Sequence, residues 1–200
     1  MHHQSDSPVS LLVNLFLIED PAPELVIVSG PSGSGKTRAC LELVEILNGF
    51  GINASGLISS PVYKDNRKVA VDLIAIHNAD RLRLAMLRED SPAPHEEDVD
   101  AFINYGRWRF DPDTFAWGNS ILRHLPESQC LIIDELGPLE FKQGSGLQAG
   151  MSLLDRRQQP PAFVVVREEL ASSALLRWPW GMVVNIPLVS DELESPGEAS

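Results

Sequence analysis

Residues 30–37 carry the residue types that are needed to hold a polyphosphate. They match the pattern G-x-x-x-x-G-K-[ST], in which glycines let the chain turn so that backbone N–H groups converge on phosphate oxygens. Lys36 can reach the β- and γ-phosphates, and the Thr37 hydroxyl can bind Mg²⁺. The following helix adds the positive end of its dipole. The predicted nucleotide-binding residues are Gly30, Pro31, Ser32, Gly33, Ser34, Gly35, Lys36, Thr37 and Arg38.

A pair of carboxylates supplies the second half of this chemistry. Asp134 and Glu135 follow the apolar residues 130–133, and together they have the form of a Walker B strand. At the end of a buried strand, Asp134 can hold Mg²⁺ directly or through water, and Glu135 can accept a proton from an attacking water. We therefore predict Thr37 and Asp134 as the ligands of a Mg²⁺ cofactor, and Glu135 and Lys36 as catalytic residues.

The patterns around these motifs predict the elements that position them. Residues 24–29 are a short apolar, β-branched run typical of a buried strand, and residues 38–48 have the pattern of a helix. Residues 52–61 and 68–76 predict a β-hairpin around a turn at 64–67. Further elements are predicted as a helix that begins at Asp111 and Pro112, strands at 130–135, 162–166 and 181–186, and helices at 147–157 and 168–177.

Three segments fall outside this alternation of strands and helices. Residues 1–23 predict an N-terminal extension to a domain at 24–188. Their apolar run 10–18 fits an added strand or a partner-binding arm, and the added strand is the preferred interpretation. Residues 91–100 form a loop rich in proline and acid, long enough to be a mobile cover. Residues 189–200 predict an acidic, disordered tail.

Composition narrows the classes of partner. The net charge of −12 argues against broad binding to nucleic acid or to an anionic membrane. No apolar run approaches the roughly 20 residues of a membrane span, and the N-terminal segment lacks the basic region and cleavage site of a signal peptide. A soluble, cytoplasmic protein is therefore expected. Cys40 and Cys130 predict buried thiols rather than a disulfide, and the sequence leaves the oligomeric state open.

Four segments, in this order along the chain, resemble the THEP1-type nucleoside-triphosphatase family. They are residues 30–37, Gly56-Leu57-Ile58 with Val71-Asp72-Leu73, Tyr105-Gly106-Arg107-Trp108, and residues 132–140. The most specific is Asp134-Glu135-Leu136-Gly137-Pro138-Leu139-Glu140, and the resemblance covers roughly residues 25–186. It implies a three-layer α/β/α RecA-like P-loop NTPase fold with a central, mainly parallel sheet and a β-hairpin. It also implies that nucleoside triphosphates (ATP, GTP or both) are hydrolysed to diphosphate and phosphate with loose base selectivity.

The resemblance suggests roles for two further residues. Arg107 matches the family's Gly-Arg-[Tyr/Trp] run and ranks first as the catalytic cation on the transferring phosphoryl group. The structural alternative is an arginine packed on Trp108 or paired with Asp111 or Asp113. Glu140 could orient Lys36 or water, or make a structural hydrogen bond. The chain departs from the family in having Trp108 where tyrosine is usual, and in its Gly- and Gln-rich residues 142–148.

Two other functions are compatible with the same motifs. In a small-molecule kinase, a bound acceptor would replace the attacking water, although the adjacent Glu135 and the absence of an arginine-rich lid weigh against it. In a nucleotide-dependent regulatory switch, hydrolysis would be slow and residues 9–18 could bind a partner. The sequence contains no [NT]-K-x-D run, so guanine selectivity of the GTPase kind is unsupported.

Overall fold

This computed structural model describes residues 7–90 and 102–188, and the strands within these ranges join into one nine-stranded sheet. The strands are β1 (Leu25–Ser29), β2 (Ala54–Lys64), β3 (Arg67–Ala75), β4 (Arg81–Leu87), β5 (Ile103–Tyr105), β6 (Trp108–Phe110), β7 (Cys130–Leu136), β8 (Ala162–Val166) and β9 (Met182–Asn185). The helices are α1 (Pro8–Leu17), α2 (Lys36–Gly49), α3 (Pro112–Arg123), α4 (Pro138–Gln143), α5 (Gln148–Asp155) and α6 (Ala171–Arg177), and a 3₁₀ turn at Glu168–Leu170 precedes α6. The order in the sheet is β5-β6-β4-β3-β2-β7-β8-β1-β9.

The half of the sheet from β2 to β9 is parallel. β7 pairs with β2 and β8, and β1 pairs with β8 and β9, all in parallel register. Every residue of β1 and β8 is buried, as expected for strands that are covered on both faces. Because the carboxyl ends of parallel strands meet at one edge, the loop after β1 and the end of β7 lie at the same edge with β8 between them. The predicted parallel centre is confirmed.

The other half of the sheet is antiparallel. β2 and β3 form the predicted hairpin, which turns at Asp65 and Asn66 with φ of 49° and 59°. Two consecutive left-handed residues are typical of the tight turns that match the twist of a hairpin. β4 then pairs with β3, and the short β5–β6 hairpin completes this side. These last three strands were not predicted from the sequence.

Helices cover both faces of the sheet and give the three expected layers. On one face, α1 and α2 contribute Leu12, Leu15, Leu43 and Leu47 to a core with the even-numbered residues of β1. On the other face, side chains of α3, α5 and α6 form a larger core with residues of β1, β7 and β8. Cys40 and Cys130 are both buried free thiols on the α2 face, as predicted.

The prediction of an added strand at residues 10–18 is wrong, because Pro8–Leu17 is a helix. The Ser7 hydroxyl caps it by accepting a hydrogen bond from the backbone N–H of Ser10, and Pro8 stands at its first position, which are start signals for a helix. Leu12 is fully buried against the α2 layer. A continuous apolar run has no period that separates a strand from a helix, and here the cap and the packing decide.

No helix in the two described ranges is long and apolar enough to cross a bilayer. The loop at 91–100, the tail at 189–200 and the first six residues lie outside the described residues, so the predictions made for them stay predictions.

Gly56 in β2 provides a test of the sheet. Its φ is +119°, and a Cβ atom there would lie 1.9 Å from the backbone oxygen of Ile132 in β7. We expect Gly56→Ala to lower the free energy of unfolding by about 2–6 kcal/mol, the combined range for a strained backbone and for overpacking. The matched control is Gly49→Ala at the end of α2, where a Cβ meets nothing within 4 Å and stability should change by less than about 1 kcal/mol. Urea denaturation of both variants measures this, and equal midpoints would contradict it.

Candidate functional site

The loop between β1 and α2 has the backbone that a phosphate cradle requires. Gly30, Gly33 and Gly35 have φ of 142°, 85° and 89°, a region that only glycine adopts without strain. Gly30 is further restricted, because a Cβ atom there would lie 2.1 Å from the backbone oxygen of Ile186. The loop ends at Gly35, the N-cap of α2, so the free N–H groups of the first turn face the same space.

The ammonium group of Lys36 lies against this loop. Its Nζ donates hydrogen bonds of 2.7 Å to the backbone oxygens of Gly30 and Pro31, and the residue is only 8% exposed. Burial lowers the pKa of Lys36, while the negative charges of Glu135 and Asp134 act in the opposite direction. The ammonium group therefore lies at the predicted phosphate site.

Asp134 is a fully buried carboxylate at the end of β7. Burial, and then the charge of Glu135, raise its pKa to about 7, while the Thr37 hydroxyl, the Ser59 N–H and Lys36 lower it. Neither Thr37 nor Ser59 makes a hydrogen bond of ordinary geometry to it, so both carboxylate oxygens lack a partner among the described residues. Buried charges normally need a partner or a metal ion. Since carboxylate oxygen suits Mg²⁺, these residues fit the predicted cation.

Glu135 is held by an arginine that the sequence analysis did not single out. Its Oε1 accepts a hydrogen bond of 2.8 Å from Nε of Arg167, the residue directly after β8. Burial lowers the pKa of Arg167, but the charge of Glu135 and this hydrogen bond outweigh it and raise the pKa. The pairing register of β7 and β8 shifts between Ile133 and Leu136, so Asp134 and Glu135 leave the regular alternation of the strand.

A pocket extends from the phosphate loop over the α3 side of the sheet. The space it encloses, counted out to solvent at its open mouth, is about 730 Å³. Thr37, Ser59, Glu135 and Arg167 form its polar end. The other walls come from Lys68, Val71, Leu84, Tyr105, Trp108, Phe110, Phe115, Gly137, Pro138, Leu139, Glu140 and Leu147.

Arg107 does not line this pocket. Its guanidinium carbon lies 5.5 Å from the centre of the Trp108 ring, and Nζ of Lys68 lies 5.5 Å from the same ring. Packing on Trp108 is the structural alternative for Arg107, and Asp111 instead caps α3. The catalytic role of Arg107 remains a prediction.

The other predicted site residues are also placed. The Arg38 side chain forms an exposed ion pair with Glu42 on α2 at 2.7 Å. Ser34 donates its N–H to the oxygen of Pro31 and so closes the turn of the loop. Its hydroxyl oxygen is buried without a partner in the described part of the chain, which leaves it available to a ligand in the loop.

Glu140 makes structural hydrogen bonds. Its two carboxylate oxygens accept the backbone N–H groups of Gly137 and Leu147, each at 2.7 Å. Burial raises the pKa of Glu140, and these two hydrogen bonds partly offset the effect. The carboxylate thus joins the start of α4 to the chain entering α5. It holds Gly137 and Leu147, which line the pocket, in place.

Comparisons with known proteins show what the chain as a whole is similar to. A family model described as NTPase matches residues 25–178. The chain is 26% identical over 146 residues to the nucleoside-triphosphatase THEP1 of Methanopyrus kandleri, which covers 73% of this chain and 74% of the relative. It is 23% identical to the cancer-related nucleoside-triphosphatase homolog of Mus musculus, over 70% of this chain and 72% of that protein.

The fold has also been seen before. The solution structure of a human cancer-related nucleoside triphosphatase superimposes with a TM-score of 0.58 at 22% identity. The match covers 81% of this chain and 88% of the other. At this level of identity the likeness shows the fold, which is the predicted P-loop α/β architecture.

Replacing Glu140 tests its structural role. Glu140→Gln keeps the shape but turns an amide NH₂ toward one of the two backbone N–H groups, which leaves a buried donor unsatisfied. We expect the free energy of unfolding to fall by about 1–3 kcal/mol, while nucleotide affinity at a temperature where the variant is folded changes little. Urea denaturation and a nucleotide titration measure the two effects. Unchanged stability together with loss of nucleotide binding would show that Glu140 acts on the ligand instead.

Proposed function

Since the chain belongs to the NTPase family, we propose that it is a Mg²⁺-dependent nucleoside-triphosphatase that releases nucleoside diphosphate and phosphate. The observation that carries this proposal is the fully buried carboxylate of Asp134, which has no hydrogen-bond partner within residues 7–90 and 102–188 and lies at the edge of the sheet that also holds the phosphate loop. A carboxylate in that position suits a cation bound together with the phosphates. Glu135 follows directly and supplies a base beside it.

Backbone N–H groups and the ammonium group of Lys36 bind the phosphates. The loop N–H groups and the N-terminus of α2 face the β-phosphate. The triphosphate replaces the loop oxygens as the partner of Lys36, which then spans the β- and γ-phosphates. Thr37 and Asp134 would hold Mg²⁺, which supplies charge neutralisation on the β- and γ-phosphate oxygens when bound.

Glu135 is the proposed general base. Its carboxylate lies at the open polar end of the pocket and can accept a proton from water that attacks the γ-phosphorus. The bond between the γ-phosphorus and the oxygen that bridges it to the β-phosphate breaks, and the diphosphate leaves. Arg167 acts as a positioning residue, because its hydrogen bond fixes one oxygen of Glu135 and leaves the other to face the water.

Substrate selection follows from what surrounds the phosphates. The phosphate loop and Asp134 are assigned to phosphate and metal, which every nucleoside triphosphate substrate has in common. The chain also lacks the [NT]-K-x-D run that selects guanine. Both ATP and GTP are therefore proposed as substrates. The cytoplasmic location remains a prediction from the sequence.

Glu135→Gln removes the base but keeps the size of the side chain. We expect phosphate release to fall by about 10²–10⁴-fold, the usual contribution of a general base, with nucleotide affinity retained. The control is Glu45→Gln on the exposed side of α2, which should hydrolyse at the rate of the parent. Malachite-green phosphate release over ATP, GTP, CTP and UTP, with chromatography of the nucleoside diphosphate and no acceptor present, measures this. Unchanged turnover in Glu135→Gln would sink the assignment.

Arg167→Ala tests the positioning role. Without the hydrogen bond the Glu135 carboxylate can rotate, so we expect kcat to fall by roughly 10-fold or more, a loss of about 1.4 kcal/mol in transition-state stabilisation, with KM changed less. Arg167→Lys restores the charge without the Nε geometry and should recover only part of the rate. Arg123→Ala, in the exposed last turn of α3, is the matched control. A rise in KM with kcat unchanged would instead show that Arg167 binds the substrate uniformly.

A further inference from the structure

The pocket beside Glu135 is larger than an attacking water requires. We propose that it binds a second small molecule, planar and aromatic with an acidic group, next to the γ-phosphate end of the nucleotide. The assignment of that end rests on the proposed function, because it takes Lys36 and Thr37 as the ligands of the β- and γ-phosphates and of the metal.

The extent of the pocket supports an organic ligand. Glu135 lies on β7, whereas Leu84 lies on β4, three strands away in the sheet. Neighbouring strands are about 4.8 Å apart, so the cavity runs roughly 14 Å along the sheet. Its walls between these points are apolar or aromatic: Val71, Leu84, Phe110, Phe115, Leu139 and Leu147. Water cannot form hydrogen bonds with such walls, whereas a flat hydrocarbon ring is stabilised when its apolar surface leaves water and contacts them.

Two cations and two aromatic rings define the chemistry of the ligand. Lys68 on β3 and Arg167 after β8 enter the pocket from different strands. Lys68 is half-buried and lies over the Trp108 ring, and Tyr105 lies on the same wall. Rings of this kind stack on flat ligands, and the ammonium group of Lys68 favours an acidic substituent. Glu135 and Glu140 also line the pocket, but Glu135 already pairs with Arg167. Glu140 accepts two backbone N–H groups, so Lys68 is the more available charge.

The nucleoside of the substrate does not reach this pocket. Thr37 and Glu135 are shared by the phosphate site and the pocket, so the pocket begins where the γ-phosphate ends. The nucleoside is attached at the opposite end of the triphosphate. The pocket walls also lie in the core on the α3 side of the sheet, whereas α2 packs on the other side. A second molecule is therefore the occupant that fits.

The probe for this pocket is 8-anilinonaphthalene-1-sulfonate, which is flat, aromatic and anionic. We expect one fluorescent site per chain in the full-length protein. Leu84→Trp fills the far end of the pocket and should weaken binding by at least about tenfold, whereas Leu176→Trp, at a residue that is 84% exposed, should leave it unchanged. Equal affinity in the two variants would overturn the proposal.

A second comparison does not depend on the folding of Leu84→Trp. Lys68→Met should weaken binding of the anionic probe but not of the neutral N-phenyl-1-naphthylamine, and Lys64→Met, at an exposed residue of β2, should weaken neither. Equal effects of Lys68→Met on both probes, or no effect on either, would overturn the acidic recognition.

Titration of the probe in the presence of nucleotide distinguishes a second molecule from the nucleoside as the occupant of the pocket. With Mg²⁺ and saturating ADP or a non-hydrolysable ATP analogue, a second-ligand pocket continues to bind the probe. Competitive displacement by nucleotide would assign the pocket to the nucleoside and overturn the proposal. These titrations read fluorescence rather than turnover. A parent protein that failed to hydrolyse any nucleotide would thus refute the proposed function and leave this result intact.

Discussion

The site depends on keeping a carboxylate where the fold excludes water. Asp134 is fully buried at the end of a strand whose preceding residues form the core on both faces. Removing such a charge from water costs several kcal/mol unless other groups compensate. The Lys36 ammonium, the Thr37 hydroxyl and the Ser59 N–H each favour the ionised form, yet burial still outweighs them. A bound cation would offset the remaining cost of burying the charge, so binding of the proposed Mg²⁺ would also stabilise this part of the fold.

The strand order determines which groups can meet this carboxylate. β8 lies between β7 and β1, so the residue that follows β8 lies between the phosphate loop and the carboxylate pair. That residue is Arg167, and its Nε donates the hydrogen bond to Glu135. If β7 were the direct neighbour of β1, the base would lie closer to the loop and no side chain from an intervening strand could hold it. The arrangement separates Asp134, the proposed metal ligand, from Glu135, the proposed base.

The sequence predicted the parts of the site that local chemistry determines. Residues 30–37 need glycine at positions where φ is positive, and Asp111 with Pro112 starts α3 as expected. It did not reveal α1, because an unbroken apolar run has no decisive period. Arg167 was missed because its role comes from strand order, which periodicity does not encode. A charged residue directly after the buried run 162–166 was nevertheless a usable signal, since such a residue lies at the edge where ligands bind in parallel sheets.

The two faces of the sheet carry different functions at the same edge. The α2 face supplies the helix N-terminus and Lys36, the groups proposed to bind the phosphates of any nucleotide. The other face supplies the apolar pocket, whose floor is fixed where Glu140 joins Gly137 to Leu147. Glu135 lies where the two meet, fixed by Arg167, and is the only carboxylate among the described residues that lines the pocket without being used to tie backbone segments together. Under the proposed function, any molecule that presents a hydroxyl at that point, water included, meets the Glu135 carboxylate, so the pocket rather than the phosphate loop would determine which nucleophile reacts.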